Sequence, residues 1–243
     1  MSVYHNAVSD LFIVTVDSHR QIYSIYAKDN QLKHQMVGVD HTLPASLSAA
    51  IFSSTHVHVM NSPFTLCPLE TKELAPFFEL NHGKPSHLAS SKTDAFQIGY
   101  DQPAWIQPLL KSLVNAKLNT DIELLYEYAA KANVVHDIYF YEYEGILTLL
   151  AWKNGSFVLA NRYPIQHIDE LFYFLMLVVE QLELPVDSLQ LTAISSPSNA
   201  EKYLHTFKNY LPAIRTITPT DSSSGDIDES MHAVLHFFAQ CEL

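Results

Sequence analysis

Between Ile138 and Ile194 the chain spells out three strands, a helix and a fourth strand. Ile138 to Glu144 is aromatic and β-branched, and Ile146 to Lys153 continues in the same composition after Gly145. Asn154-Gly155 is the dipeptide that supplies two positive φ angles for a type I′ hairpin, so Ser156 to Tyr163 is the returning strand. Pro164 closes it, and Asp169-Glu170 set negative charge where the open amides of a first helical turn favour it. The helix runs to about Leu182 and is stopped by Leu184-Pro185. Every residue from Leu171 to Val179 is apolar or aromatic, which predicts a core helix covered on nearly all sides. Leu189 to Ile194 is the fourth strand.

The first part of the chain repeats this order. Leu11 to Val16 is a β-branched strand, Ser18-His19 a turn, Gln21 to Ala27 a second strand, Asp29-Asn30 another turn and Leu32 to Val39 a third strand. Pro44 opens a helix with Leu43, Leu47, Ala50 and Ile51 on one face, and His56 to Met60 follows as a strand. Leu11 to Val16 thus corresponds to Ile138 to Tyr143, Ala45 to Phe52 to the apolar helix, and Val57 to Leu191. Two structural copies without detectable sequence identity are predicted. Between them lie a short strand at Phe64 to Pro68, a short helix at Thr71 to Phe78, a polar loop at Asn81 to Thr93 and a strand at Ala95 to Tyr100. Helices follow from Pro103 through Leu113 and from Ile122 to Ala132, and the boundary falls near Asn133, giving domains 1–133 and 134–243 with the insertion in the first. After the second copy come a helix at Ser198 to Tyr210, a strand at Ile214 to Thr218, a polar linker at Asp221 to Asp226 and a last helix with Ile227, Met231, Val234, Leu235 and Phe238 on one face.

Composition excludes several functions. A hydrophobic share of 48% over 243 residues fills a core without staples, and the two cysteines, Cys67 and Cys241, make no disulfide framework. Met1 to Asp10 lacks the pattern of a secretory signal, and the longest apolar run is far below the roughly 20 residues that span a bilayer, so a cytoplasmic protein without a membrane span is expected. A net charge of -12 with scattered basic residues argues against nucleic acid. The six glycines form neither a GxGxxG turn nor a P-loop, and no GxSxG elbow presents a nucleophile.

Four pieces carry a resemblance: Phe64-Thr65-Leu66-Cys67-Pro68, Phe78-Glu79-Leu80-Asn81-His82, Leu159-Ala160-Asn161-Arg162-Tyr163 and Asp169-Glu170-Leu171-Phe172-Tyr173. In this order they resemble a family of uncharacterised bacterial proteins, a domain of unknown function with an actin-like ATPase fold. The resemblance and the repeat together imply an α/β fold of two tandem ribonuclease-H-like β-β-β-α-β units. ATP-hydrolysing members of that superfamily carry an Asp-x-Gly turn between the first two strands of each copy, where backbone amides hold phosphate and the carboxylate helps place magnesium. Here the first copy reads Asp17-Ser18-His19 and the second Glu144-Gly145, and the glycine pair that receives the base and sugar is replaced by Ala193-Ile194-Ser195-Ser196-Pro197. The resemblance therefore implies a non-catalytic pseudo-ATPase without cofactor, acting as a binding or interaction module for a protein partner or for a second copy of itself. The alternative is a divergent ATP-binding enzyme of the actin or sugar-kinase type, with Asp17 and Asp169 around magnesium.

Asn81, His82, Asn161 and Tyr163 are the candidate cleft residues that the resemblance supplies. Asp17 has a second reading as a turn former, and Asp169 as a helix N-terminal charge. His56 and His58 lie two apart on one strand face, while Asp228, His232 and His236 share a helix face. Neither group has an obvious completing ligand, so no metal is expected. Tyr139, Tyr141 and Tyr143 alternate onto one sheet face, where they stack a small molecule or lie beneath a helix.

Overall fold

The computed structural model describes residues 10–17, 20–38, 42–48, 50–207, 210–211, 213–219 and 227–242. The expected Ser18-His19 turn and the Asp221 to Asp226 linker lie outside them. The chain divides into two units, one running to Glu123 and including Glu242, the other spanning Leu124–Cys241.

In the first unit β1 (Leu11–Val16), β2 (Gln21–Tyr26) and β3 (Leu32–Gly38) form an antiparallel meander. A single helical turn α1 (Ala45–Ser48) leads to β4 (Ser54–Val59), which returns parallel to β1. All six residues of β1 are buried, as its apolar run and central place require. The helix expected to reach Phe52 stops short. Ile51 is 72% exposed, Phe52 stacks on Phe12 at 4.6 Å, and Ser53 donates to the Asp10 carbonyl through both its amide and its hydroxyl. The chain leaves the helix early because these contacts seat the entry to β4.

A three-stranded sheet follows, built from β5 (Phe64–Cys67), β6 (Leu88–Lys92) and β7 (Gln97–Asp101) in the order β5-β7-β6, with α2 (Ala75–His82) between β5 and β6. The helix expected at Thr71 to Phe78 is displaced: Pro76 sits in its first turn and Gly83, at φ 76, ends it. The expected loop from Asn81 to Thr93 holds β6, a polar edge strand of sequence LASSK whose residues are at most half-buried. After α3 (Ile106–Ser112), β8 (Lys117–Thr120) joins β4 in parallel, and the main sheet reads β3-β2-β1-β4-β8. Helix α4 (Asp121–Ala130) then carries the chain into the second unit.

There β9 (Asp137–Tyr143), β10 (Ile146–Lys153) and β11 (Ser156–Pro164) form the second meander, with Asn154 and Gly155 at φ 53 and 77 in the hairpin turn. Helix α5 (Ile168–Gln181), β12 (Gln190–Ile194), α6 (Pro197–Phe207), β13 (Ile214–Ile217) and α7 (Glu229–Cys241) complete the unit. The sheet order β11-β10-β9-β12-β13 reproduces that of the first unit strand for strand, which is the expected duplication.

The helices of this unit differ from expectation in burial. Only Leu171, Leu175, Val178 and Val179 of α5 are buried, and Tyr173 is 59% exposed, so the apolar helix is covered on one face and not all round. Helix α7 is the enclosed one, buried at every residue from Met231 to Ala239, including His232 and His236. The tyrosine stripe lies under helices: Tyr141 meets Phe238 of α7 at 5.4 Å and Tyr139 meets Tyr128 of α4 at 6.3 Å. Among the described residues, no helix is long and apolar enough to cross a membrane.

Candidate functional site

Acidic residues at the close of the first strand of each copy share one kind of hydrogen bond. Asp17, 6% exposed at the end of β1, accepts the Arg20 amide at 2.9 Å on Oδ1 and Arg20 Nε at 3.2 Å on Oδ2. At the end of β9, Glu142 Oε1 accepts the Gly145 amide at 2.8 Å. In both, an acidic side chain takes the N–H three residues on. Glu144 and Gly145 stand at φ 55 and 69, and a Cβ on Gly145 would come within 3.2 Å of the Ile165 carbonyl. Burial raises the Glu142 carboxyl above the usual range, opposed by the Gly145 amide and reinforced by the charges of Asp228 and Glu144. Beside it is a cavity of about 410 Å³ lined by Glu142, Gly145, His167, Asn199, Lys202 and Tyr203 among others. Burial, with Glu142 nearby, pushes the Tyr203 phenol up.

Four of the five remaining sequence candidates make contacts within their own unit. Asp169 is exposed in the first turn of α5, beside a capping box formed by His167 and Glu170. Asn81 is exposed and donates to the Phe77 carbonyl of its own helix at 3.3 Å, while His82 Nε2 lies 2.7 Å from the Phe64 carbonyl. Asn161 Oδ1 accepts the Arg162 amide at 2.8 Å, and Tyr163 stacks on Phe174 at 4.3 Å. Asn81 and His82 belong to the first unit, Asn161 and Tyr163 to the second.

The histidines of β4 acquire a partner from the far end of the chain. His56 and His58 are 2% and 1% exposed on the same strand face, and the Glu242 carboxylate, just past α7, reaches both. His58 Nε2 lies 3.0 Å from Oε1 and His56 Nδ1 lies 2.8 Å from Oε2, the latter off the line of a hydrogen bond. Asn119 of β8 donates Nδ2 to Oε1 at 2.5 Å. Burial lowers the His58 imidazole against the pull of Glu242. Burial alone would raise the Glu242 carboxyl, but the two histidines outweigh it and hold it well below the usual range. Among the described residues these three bring ligand atoms within 4.8 Å of one another. Asp228, His232 and His236 do not form such a group: Asp228 Oδ1 accepts the Met231 amide, and His236 Nε2 lies 2.8 Å from Gln240 Nε2. Since 184 residues separate His58 from Glu242, no local motif carries the signal.

Comparison with known proteins agrees with the architecture. A family model described as "Protein of unknown function (DUF3822)" matches residues 13–214. A Bacteroides thetaiotaomicron protein with an actin-like ATPase fold and unknown function superposes at TM-score 0.72 and 17% identity, covering 98% of this chain and 99% of that one. A PilM-PilN type IV pilus biogenesis complex matches at TM-score 0.53 and 10% identity, with 97% and 99% covered. The ethanolamine utilization protein EutJ from Carboxydothermus hydrogenoformans matches at TM-score 0.50 and 7% identity, with 98% and 94% covered. These likenesses carry the fold, the actin-like ATPase fold that the repeat and the four sequence pieces led us to expect. Among curated proteins none is significantly similar in sequence.

Proposed function

The chain belongs to the DUF3822 family of proteins of unknown function, and from that premise we propose that it is a non-catalytic actin-like protein, a pseudo-ATPase that serves as a binding module for a protein partner. The observation that carries this reading is that a carboxylate of the chain already takes an amide beside the first strand of each copy. Phosphate binding there needs free amides and no competing anion. Glu142 takes the Gly145 amide, and Asp17 takes the Arg20 amide together with the Arg20 guanidinium. A triphosphate would have to displace a carboxylate in each copy, against a net charge of -12. The alternative, magnesium-dependent ATP chemistry at Asp17 and Asp169, requires Arg20 to release Asp17 first.

Surface chemistry supports the binding half of the reading. Leu80 is 84% exposed on α2 and Tyr173 is 59% exposed on α5, and both lie in pieces through which the chain resembles its family. Tyrosine is among the residues enriched at the hot spots of protein contacts, and an exposed leucine adds apolar area to such a contact. One structural neighbour is itself part of a two-protein complex, PilM-PilN.

Calorimetric titration with ATP, with and without magnesium, tests the first half. No saturable heat is expected up to about 1 mM, the equivalent of about 4 kcal/mol of binding. Magnesium-dependent saturation below that concentration, lost in Asp17→Asn, would overturn the reading in favour of the enzyme. For the second half, a partner retained by the wild-type chain is expected to be lost by the Leu80→Ser, Tyr173→Ser double variant with its fold intact.

A further inference from the structure

The His56, His58 and Glu242 cluster plays no part in the nucleotide argument, and its chemistry stands independently of it. We propose that these three side chains form a binding site for one borderline divalent transition ion of the zinc class, with Asn119 holding the carboxylate in place. Two imidazole nitrogens and one carboxylate oxygen are a donor set that zinc and its neighbours favour. The spacing suits it, since residues two apart on β4 point the same way and β8 sets Asn119 level with His58. The ligand atoms lie 2.8 and 3.0 Å apart in the two His–Glu pairs. Around a tetrahedral ion with bonds of about 2.0–2.1 Å ligand atoms lie about 3.3–3.4 Å apart, and the three ligand atoms here already fall within 4.8 Å of one another.

Two observations point to an ion and not to a plain histidine–glutamate clamp. His56 Nδ1 is buried and pairs with the Glu242 oxygen at 2.8 Å, off the line of a hydrogen bond. A ring that served only to hold the carboxylate would turn its nitrogen along the N–H···O line, whereas a ring that shares an ion with the carboxylate directs its lone pair to the space between them. Charge gives the second. The Glu242 carboxylate meets both imidazoles in a buried place, with the buried Asp121 acting more weakly on His58, and buried negative charge there favours a cation. Asn119 supplies the outer hydrogen bond that orients a ligating carboxylate.

The test uses the full-length chain, stripped with a chelator and titrated with zinc chloride in the absence of nucleotide. One ion per chain with Kd below about 1 μM is expected, together with a rise in the unfolding midpoint. Cobalt in place of zinc is expected to give the visible d–d absorption of a low-symmetry four-coordinate site. Glu242→Gln and His58→Ala should each weaken zinc binding more than about 100-fold, and Asn119→Ala by about 10–100-fold, with circular dichroism unchanged. If His58→Ala fails to fold, Glu242→Gln, outside the last helix, gives the same reading. No stoichiometric zinc in the wild-type chain, or undiminished binding in Glu242→Gln, would overturn the proposal and leave the cluster a hydrogen-bonded clamp.

Discussion

Asp17 and Glu142 illustrate how one side chain decides what a turn is available for. Each accepts the amide three residues on, and Glu142 does so at the cost of being buried. Its carboxyl is raised in the folded chain, chiefly by burial, so the fold keeps this proton at pH values where the unfolded chain has released it. The stability it contributes is full below the ordinary glutamate value and declines as pH rises through the raised one. Glu142→Gln keeps an oxygen for Gly145 and removes that decline. The variant should melt above wild type at pH 7, and the difference should vanish toward about pH 4, which thermal unfolding across that range would show. Gly145→Ala is the opposite case: φ 69 and a contact of 3.2 Å with the Ile165 carbonyl both oppose a side chain. It should cost about 1–2 kcal/mol in a urea melt. At this scale the site was half legible. Asp17 stands out as an aspartate at a strand end and His56 with His58 as a spaced pair, but Arg20 and Glu242 enter through folding, and no periodicity announces them.

At the scale of elements, an apolar run turned out to report composition more faithfully than burial. Helix α5 is apolar from Leu171 to Val179, yet a sheet covers only one of its faces and Tyr173 remains 59% exposed. Helix α7 carries two histidines and is buried from Met231 to Ala239. The consequence for α5 is measurable: Leu175→Ala should lose about 2–5 kcal/mol of stability, whereas Tyr173→Ser should stay within about 0.5 kcal/mol. Denaturant midpoints of the two variants would separate them. Strands with strong signals, such as β1 and the three of the second meander, were readable from sequence because β-branched and aromatic residues bracket turn dipeptides. The edge strands β6 and β8 were not, because a strand with one open side and a polar face has the composition of a loop. Helix α1 fell short for a tertiary reason, the seating of Ser53 on Asp10 and of Phe52 on Phe12.

At the scale of the whole molecule the duplication was readable because both copies keep the order of elements while sharing no sequence. A chain with 14 basic and 26 acidic residues is expected to leave duplex DNA unshifted in a mobility assay even at low salt, where phosphate contacts are strongest. The two sheets, alike in strand order, differ in what the chain does before adding the last strand. In the second it leaves β12 and returns as β13 after one helix, whereas in the first it builds a three-stranded sheet and further helices between β4 and β8. That excursion is roughly threefold longer and costs about 1 kcal/mol more in closure entropy. The two halves should therefore acquire structure at different times. In pulse-labelled hydrogen exchange during refolding, amides of β12 and β13 should become protected before those of β4 and β8, so that a molecule built from two matching halves assembles asymmetrically.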